Sequence, residues 1–131
     1  MYAWNAGTMW IWRGLSLADD SIFDRILRKE IPATFVYEDE HVVAIKDINP
    51  AAPVHVLVIP KKKIVSLREA KSAPAADMAN LLAGISRVAS HLGLDADGYR
   101  TVFNTGRDAQ QSVAYIHAHI LGGRSLAWPP G

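Results

Sequence analysis

From Tyr115 to Leu121 the chain reads Tyr-Ile-His-Ala-His-Ile-Leu and then turns on Gly122-Gly123. Side chains on a strand alternate between the two faces of a sheet. The order therefore predicts a strand with Ile116, Ala118 and Ile120 on one side and Tyr115, His117 and His119 on the other. The apolar side belongs in the core. The two imidazoles, about 6.5–7 Å apart along the backbone, stand where an idle surface strand would more usually carry Thr, Lys or Glu.

The rest of the pattern supplies a sheet for this strand and helices to cover it. After an acidic cap at Asp20, Ile22, Phe23, Ile26 and Leu27 recur at helical spacing and Pro32 ends the run, which predicts a short amphipathic helix. Phe35-Val36-Tyr37 and Val42-Val43-Ala44-Ile45 flank the polar turn Glu38-Asp39-Glu40-His41 and read as an antiparallel hairpin. Asn49-Pro50 and Pro53 break the chain before His55-Val56-Leu57-Val58-Ile59, a run short enough for a buried strand, and Pro60 closes it. Ser72 and Pro74 begin a longer helix with Met78, Leu81, Leu82, Ile85, Val88, Ala89 and Leu92 on one face and Gly93 as its stop. Tyr99 to Asn104 predicts one further strand, separated from the histidine strand by the polar loop Thr105 to Ser112. The fold class expected is α+β with a mainly antiparallel sheet.

A chain of 131 residues, half of them hydrophobic, fits one compact domain. The net charge of +1 gives no global attraction for nucleic acid, so any nucleotide bound is expected to be small. With no cysteine, disulfide frameworks and thiolate metal sites are excluded, and a cytoplasmic protein is expected. No apolar run approaches the roughly 20 residues of a membrane-spanning helix, so no membrane contact is expected. Residues 1–20, which hold Trp4, Trp10 and Trp12, read as an extension ahead of a domain spanning 21–131.

Three roles are open to His117 and His119. They could be core residues; they could hold zinc with His55 from a neighbouring strand; or one neutral imidazole could attack phosphorus while a neighbour assists proton transfer. The third role needs an anion-binding surface. The Gly106 to Ser112 loop offers backbone N–H groups, the amides of Gln110 and Gln111 and the Ser112 hydroxyl. Lys61, Lys62 and Lys63 read as a solvated face, and His41 and His91 as surface residues.

The stretches SIFDRILRKEIPA, YEDE, DINPAAPVHVLVIPKKKI, LGL, YRTVFNTG, QQSVAYIHAHILGGR and the terminal WPPG, in that order over Ser21 to Gly131, resemble the histidine triad (HIT) superfamily and, within it, its Hint branch of purine nucleoside phosphoramidases. The resemblance implies an antiparallel sheet with a short N-terminal and a long helix, two protomers forming a homodimer, and no cofactor or metal. It implies hydrolysis of the P–N bond of AMP or GMP amine conjugates through a covalent nucleotidyl-histidine. His117 matches the nucleophile, His119 the last motif histidine on the phosphate, and His55 the histidine of the middle strand. Ile22, Phe23, Ile26, Ile48 and Leu57 match the purine pocket, and Asp47 the ribose carboxylate. Asn104, Gln111 and Ser112 match phosphate-side residues, and Trp128 a C-terminal tryptophan near the site in the dimer. Tyr115 departs from the family, which usually has histidine there and uses the main-chain carbonyl to hold the nucleophile's Nδ1–H. Two alternatives remain: a nucleotide-binding or scaffolding relative with reduced turnover, and a dinucleoside polyphosphate hydrolase.

Overall fold

The computed structural model describes residues 20–131, so Trp4, Trp10, Trp12 and nearly all of the expected extension lie outside the described residues. The elements run α1 (Ile22–Leu27), β1 (Phe35–Glu38), β2 (Val42–Lys46), β3 (Val54–Pro60), a 3₁₀ helix (Leu67–Ser72), α2 (Ala75–His91), β4 (Tyr99–Val102) and β5 (Ala118–Gly122). The five strands form one antiparallel sheet in the order β1-β2-β3-β5-β4. The α+β class expected from the sequence is the class observed.

The N-cap of α1 is Ser21 rather than Asp20. The Ser21 hydroxyl accepts the Asp24 N–H and the Asp24 carboxylate accepts the Ser21 N–H, a reciprocal pair that satisfies two otherwise orphaned donors. The same device, Ser66 with Glu69, opens the 3₁₀ helix, an element that apolar periodicity does not predict because all of its residues lie partly or fully exposed. Leu81, Ile85, Val88 and Ala89 of α2 are buried on the sheet, against a face that includes Val42, Ala44, Val56 and Val58. Gly84 lets α2 approach β2, since a Cβ there would stand 2.7 Å from Val42 Cγ1. Leu82, on the stripe expected to share one face, is 61% exposed.

Ile116, Ala118 and Ile120 are buried as the alternation requires. The strand itself starts only at Ala118. Tyr115 lies on a bend, and the Ile116 N–H donates to the Ile64 carbonyl in the connection after β3 instead of to a sheet neighbour. The simple pleat therefore does not extend back to Tyr115. The β4 strand likewise ends at Val102, short of Asn104.

Candidate active site

In β3, His55 and Leu57 lie opposite Leu121 and His119 of β5, which puts His55 and His119 on the same face of adjacent strands. Their rings approach with His55 Nε2 2.9 Å from His119 Nδ1. The His117 ring stands 5.2 Å, centroid to centroid, from that of His119 and edge-on to Phe23 at 4.8 Å. Three of the sequence's histidines thus form one group, while His41 and His91 lie elsewhere: His91 packs on Tyr37.

Proton positions follow from the partners. A main-chain carbonyl only accepts, so the 2.8 Å contact between His117 Nδ1 and the Tyr115 carbonyl places the proton on Nδ1 and leaves Nε2 with a free lone pair. The Ala51 N–H donates to His55 Nδ1 at 2.9 Å, so His55 carries its proton on Nε2. That proton faces His119 Nδ1, and in the neutral ring the His119 proton is then on Nε2. The Asp47 carboxylate stands beside the pair, with Oδ2 3.3 Å from His55 Nε2, while its Oδ1 accepts the Asn49 N–H at 2.8 Å. Arg124 reaches back from the turn after β5 to hold the Ala51 carbonyl at 2.8 Å, on the residue whose N–H sets the His55 tautomer.

The His117 and His119 rings are both held neutral. Burial lowers the His117 pKa below the ordinary histidine value, against the opposing effect of the Tyr115 carbonyl and Asp47. Burial and then the neighbouring His117 and His55 bring His119 down to about 4, again against Asp47. A neutral ring with a fixed lone pair is what an attack on phosphorus requires.

Beside the histidines lies a groove of about 720 Å³ lined by all five predicted purine-pocket residues, Ile22, Phe23, Ile26, Ile48 and Leu57, with Asp47 at its polar side. Phe23, Ile26 and Leu57 are buried, whereas Ile22 and Ile48 are 49% and 92% exposed and form an open rim. The groove also takes in Ile31, Ala33 and Thr34, and Pro32, which the sequence pattern marked only as a helix stop.

The polar loop differs from expectation at Gln111. That side chain is buried, its two amide hydrogens go to the Val65 and Val113 carbonyls at 2.8 and 2.9 Å, and its oxygen accepts the Gly106 N–H. Gln111 braces the loop, and its donors are already occupied. Asn104 and Ser112 remain half-buried in the same segment. Trp128 is 79% exposed and sits over the Arg100 guanidinium on β4 rather than on the histidines of its own protomer. Lys63 is not part of a solvated face: it is largely buried, pairs with Asp24 at 2.7 Å and fastens α1, with its groove residues, to the connection after β3. No sequence signal marked that pair.

The Tyr115 phenol donates to the Pro60 carbonyl rather than to a histidine, while its ring packs on Phe23. Burial, then the charge of Asp24, raises its pKa, so it is a neutral donor throughout the working range. A metal, if one bound, would find ligand atoms of Asp47, His55 and His119 within 4.8 Å of one another, but it would have to displace the proton shared between the two histidines.

The fold and site define a sheet protein that presents an unprotonated imidazole nitrogen beside an apolar groove. Comparison with known proteins gives the family: residues 28–126 match the HIT domain, and the chain belongs to the HIT family. An uncharacterized HIT-like protein of Synechococcus elongatus is 50% identical over 115 residues, 88% of this chain and 100% of that one. The 14 kDa zinc-binding protein of Zea mays is 51% identical over 117 residues, covering 86% and 91% of the two chains. Among solved structures, a HIT family hydrolase from Legionella pneumophila superposes with a TM-score of 0.76 at 43% identity, over 84% of this chain and 98% of its own. The histidine triad nucleotide-binding protein of Candida albicans does so with a TM-score of 0.69 at 29% identity, over 85% and 84%. The fold is that of HIT family hydrolases. Among the described residues no helix is long and apolar enough to cross a membrane.

Proposed function

We propose that this protein is a Hint-type nucleoside phosphoramidase that hydrolyses the P–N bond of purine nucleoside 5′-phosphoramidates. The observation that carries this reading is the His117 geometry, a buried neutral ring whose Nδ1–H is bonded to the Tyr115 carbonyl and whose Nε2 is free to attack. The purine lies in the groove walled by Phe23, Ile26 and Leu57, and Asp47 accepts hydrogen bonds from the ribose hydroxyls.

In the first step His117 Nε2 bonds to phosphorus as the P–N bond to the substrate amine breaks. The amine leaves with a proton taken from solvent, while the neutral His119 keeps its Nε2–H and donates it as a hydrogen bond to the phosphoryl group, supporting the charge that develops there. In the second step water adds to phosphorus, its proton passes to solvent, and the P–Nε2 bond breaks to release the nucleoside monophosphate and the neutral His117 ring. Asn104 and Ser112 contact the phosphoryl oxygens; Gln111 positions the loop that carries Ser112. His55 holds His119 in the tautomer with its proton on Nε2. The reading includes a homodimer in which Trp128 reaches the site of the partner, consistent with its exposure.

Turnover of a fluorogenic adenosine 5′-phosphoramidate by the purified chain tests this reading; release of the amine with formation of AMP supports it, and AMP binding without turnover favours a scaffolding role. A second reading is zinc binding, favoured by the Asp47, His55 and His119 cluster and by the name of the maize relative. Zinc titration followed calorimetrically on His119→Ala and the parent protein separates the two.

A further inference from the structure

We propose that the Tyr115 phenol is a positioning residue for the nucleophile: its hydroxyl, donated to the Pro60 carbonyl, fixes the peptide whose own carbonyl holds His117. The inference rests on the reading of His117 as nucleophile. One residue makes two hydrogen bonds at opposite ends, the side chain to Pro60 at 2.5 Å and the main chain to His117 Nδ1 at 2.8 Å. Pro60 is the last residue of β3 and lies opposite Val42 of β2, so the phenol is anchored on the sheet.

The need for such an anchor comes from the local backbone. Tyr115 and His117 precede β5 and lie outside its ladder, so ladder hydrogen bonds do not hold the Tyr115 peptide. The peptide that carries the Tyr115 carbonyl is held at its other end, where the Ile116 N–H donates to Ile64 in the connection after β3, and Gln111 bridges Val65 and Val113 beside it. The Tyr115 hydroxyl is therefore a second strap, which fixes the rotation of this peptide from the Cα side. The Tyr115 hydroxyl is the side-chain strap nearest the carbonyl that matters. It is buried at 1% exposure, so losing it leaves the Pro60 carbonyl without this partner in a place water does not readily reach.

The chemical consequence runs through the tautomer. The two neutral forms of imidazole differ by which nitrogen carries the proton, and the hydrogen bond at one nitrogen selects between them. If the Tyr115 carbonyl tilts away, the form with its proton on Nε2 gains population, and that form has no lone pair facing phosphorus. The Tyr115 hydroxyl is not among the groove residues, which come from α1, residues 31–34, β2 with the turn after it, and β3, so substrate binding is expected to hold. Phe23 abuts both the Tyr115 ring and His117, so Tyr115→Phe keeps the ring packing and removes only the hydroxyl.

The test compares the full chain with its Tyr115→Phe form by ¹⁵N NMR of the His117 ring nitrogens without substrate, and by kcat and KM on an adenosine phosphoramidate. The expected result is one tautomer in the parent, a mixture in the variant, and a fall in kcat of roughly three- to tenfold with KM within about twofold, the scale of one neutral hydrogen bond. Unchanged His117 nitrogens in the variant overturn the proposal whatever kcat does, and so does an unchanged kcat in an active enzyme. If the parent turns over no phosphoramidate, the proposed function fails and the tautomer comparison alone decides this inference. Should the variant not fold, the parent still decides: a slowly exchanging Tyr115 hydroxyl proton is expected, and rapid exchange overturns the anchor.

Discussion

His55 and His119 face each other across adjacent strands with Nε2 of one 2.9 Å from Nδ1 of the other, and the Ala51 N–H bonded to the far nitrogen of His55 fixes the direction of that hydrogen bond. The His119 proton is therefore directed away from His55. Replacing His55 by Phe removes the donor that sets this tautomer while keeping an aromatic ring. We expect kcat to fall roughly tenfold, with the value for AMP binding changed by less than about threefold. Steady-state kinetics beside AMP titration calorimetry checks it; equal losses in both would make His55 a binding residue instead.

Acid should destabilise this fold through its histidines before its carboxylates protonate. His119 sits near 6.5 when unfolded and at about 4 when folded, and His117 is shifted in the same direction. Between those values the unfolded chain takes up protons that the folded chain does not, so stability falls as pH drops from about 6.5 toward 4, by roughly 2–3 kcal/mol for His119. Urea denaturation at a series of pH values reads this slope directly, and His119→Gln should flatten it. A midpoint independent of pH in this window would contradict the assigned protonation.

At Gly84, a methyl group would meet the two Cγ atoms of Val42 at 2.7 and 2.9 Å, and Val42 is completely buried. Gly84→Ala gains up to about 1 kcal/mol in helix propensity but overpacks the α2–β2 contact by about 1–3 kcal/mol. Net destabilisation of about 1–2 kcal/mol is expected. An increase in the urea midpoint would show that β2 yields without cost.

Leu82 and Trp128 are the exposed apolar side chains that the proposed dimer would cover. Light scattering at micromolar protein should give twice the mass of the 14.3 kDa chain. A monomer mass would separate Trp128 from any site.

Much of this architecture was written in local patterns. The Ile116-Ala118-Ile120 alternation located the core side of β5, the period of α2 located its packing face, and the apolar run from His55 to Ile59 marked the central strand. The motif resemblance supplied groove residues on α1, β3 and the turn after β2, which are brought together only by tertiary packing. What escaped the sequence was carried by peptide groups and long-range partners. The Ala51 N–H that sets His55 has no residue signature, the Lys63–Asp24 pair joins positions 39 residues apart, and the Pro60 carbonyl gives no hint that a tyrosine hydroxyl will reach it. Gln111 looked like a phosphate donor because its type fits, yet its burial turned the same amide into a brace.

The account rests on the free Nε2 of His117, and its most direct test is hydrolysis of a fluorogenic adenosine 5′-phosphoramidate by the parent chain and its His117→Ala form. The account predicts turnover by the parent, a loss of at least about 10³-fold in kcat in the variant, and AMP affinity nearly unchanged, because only the group that forms the covalent bond is missing. Hydrolysis by His117→Ala within tenfold of the parent would contradict it.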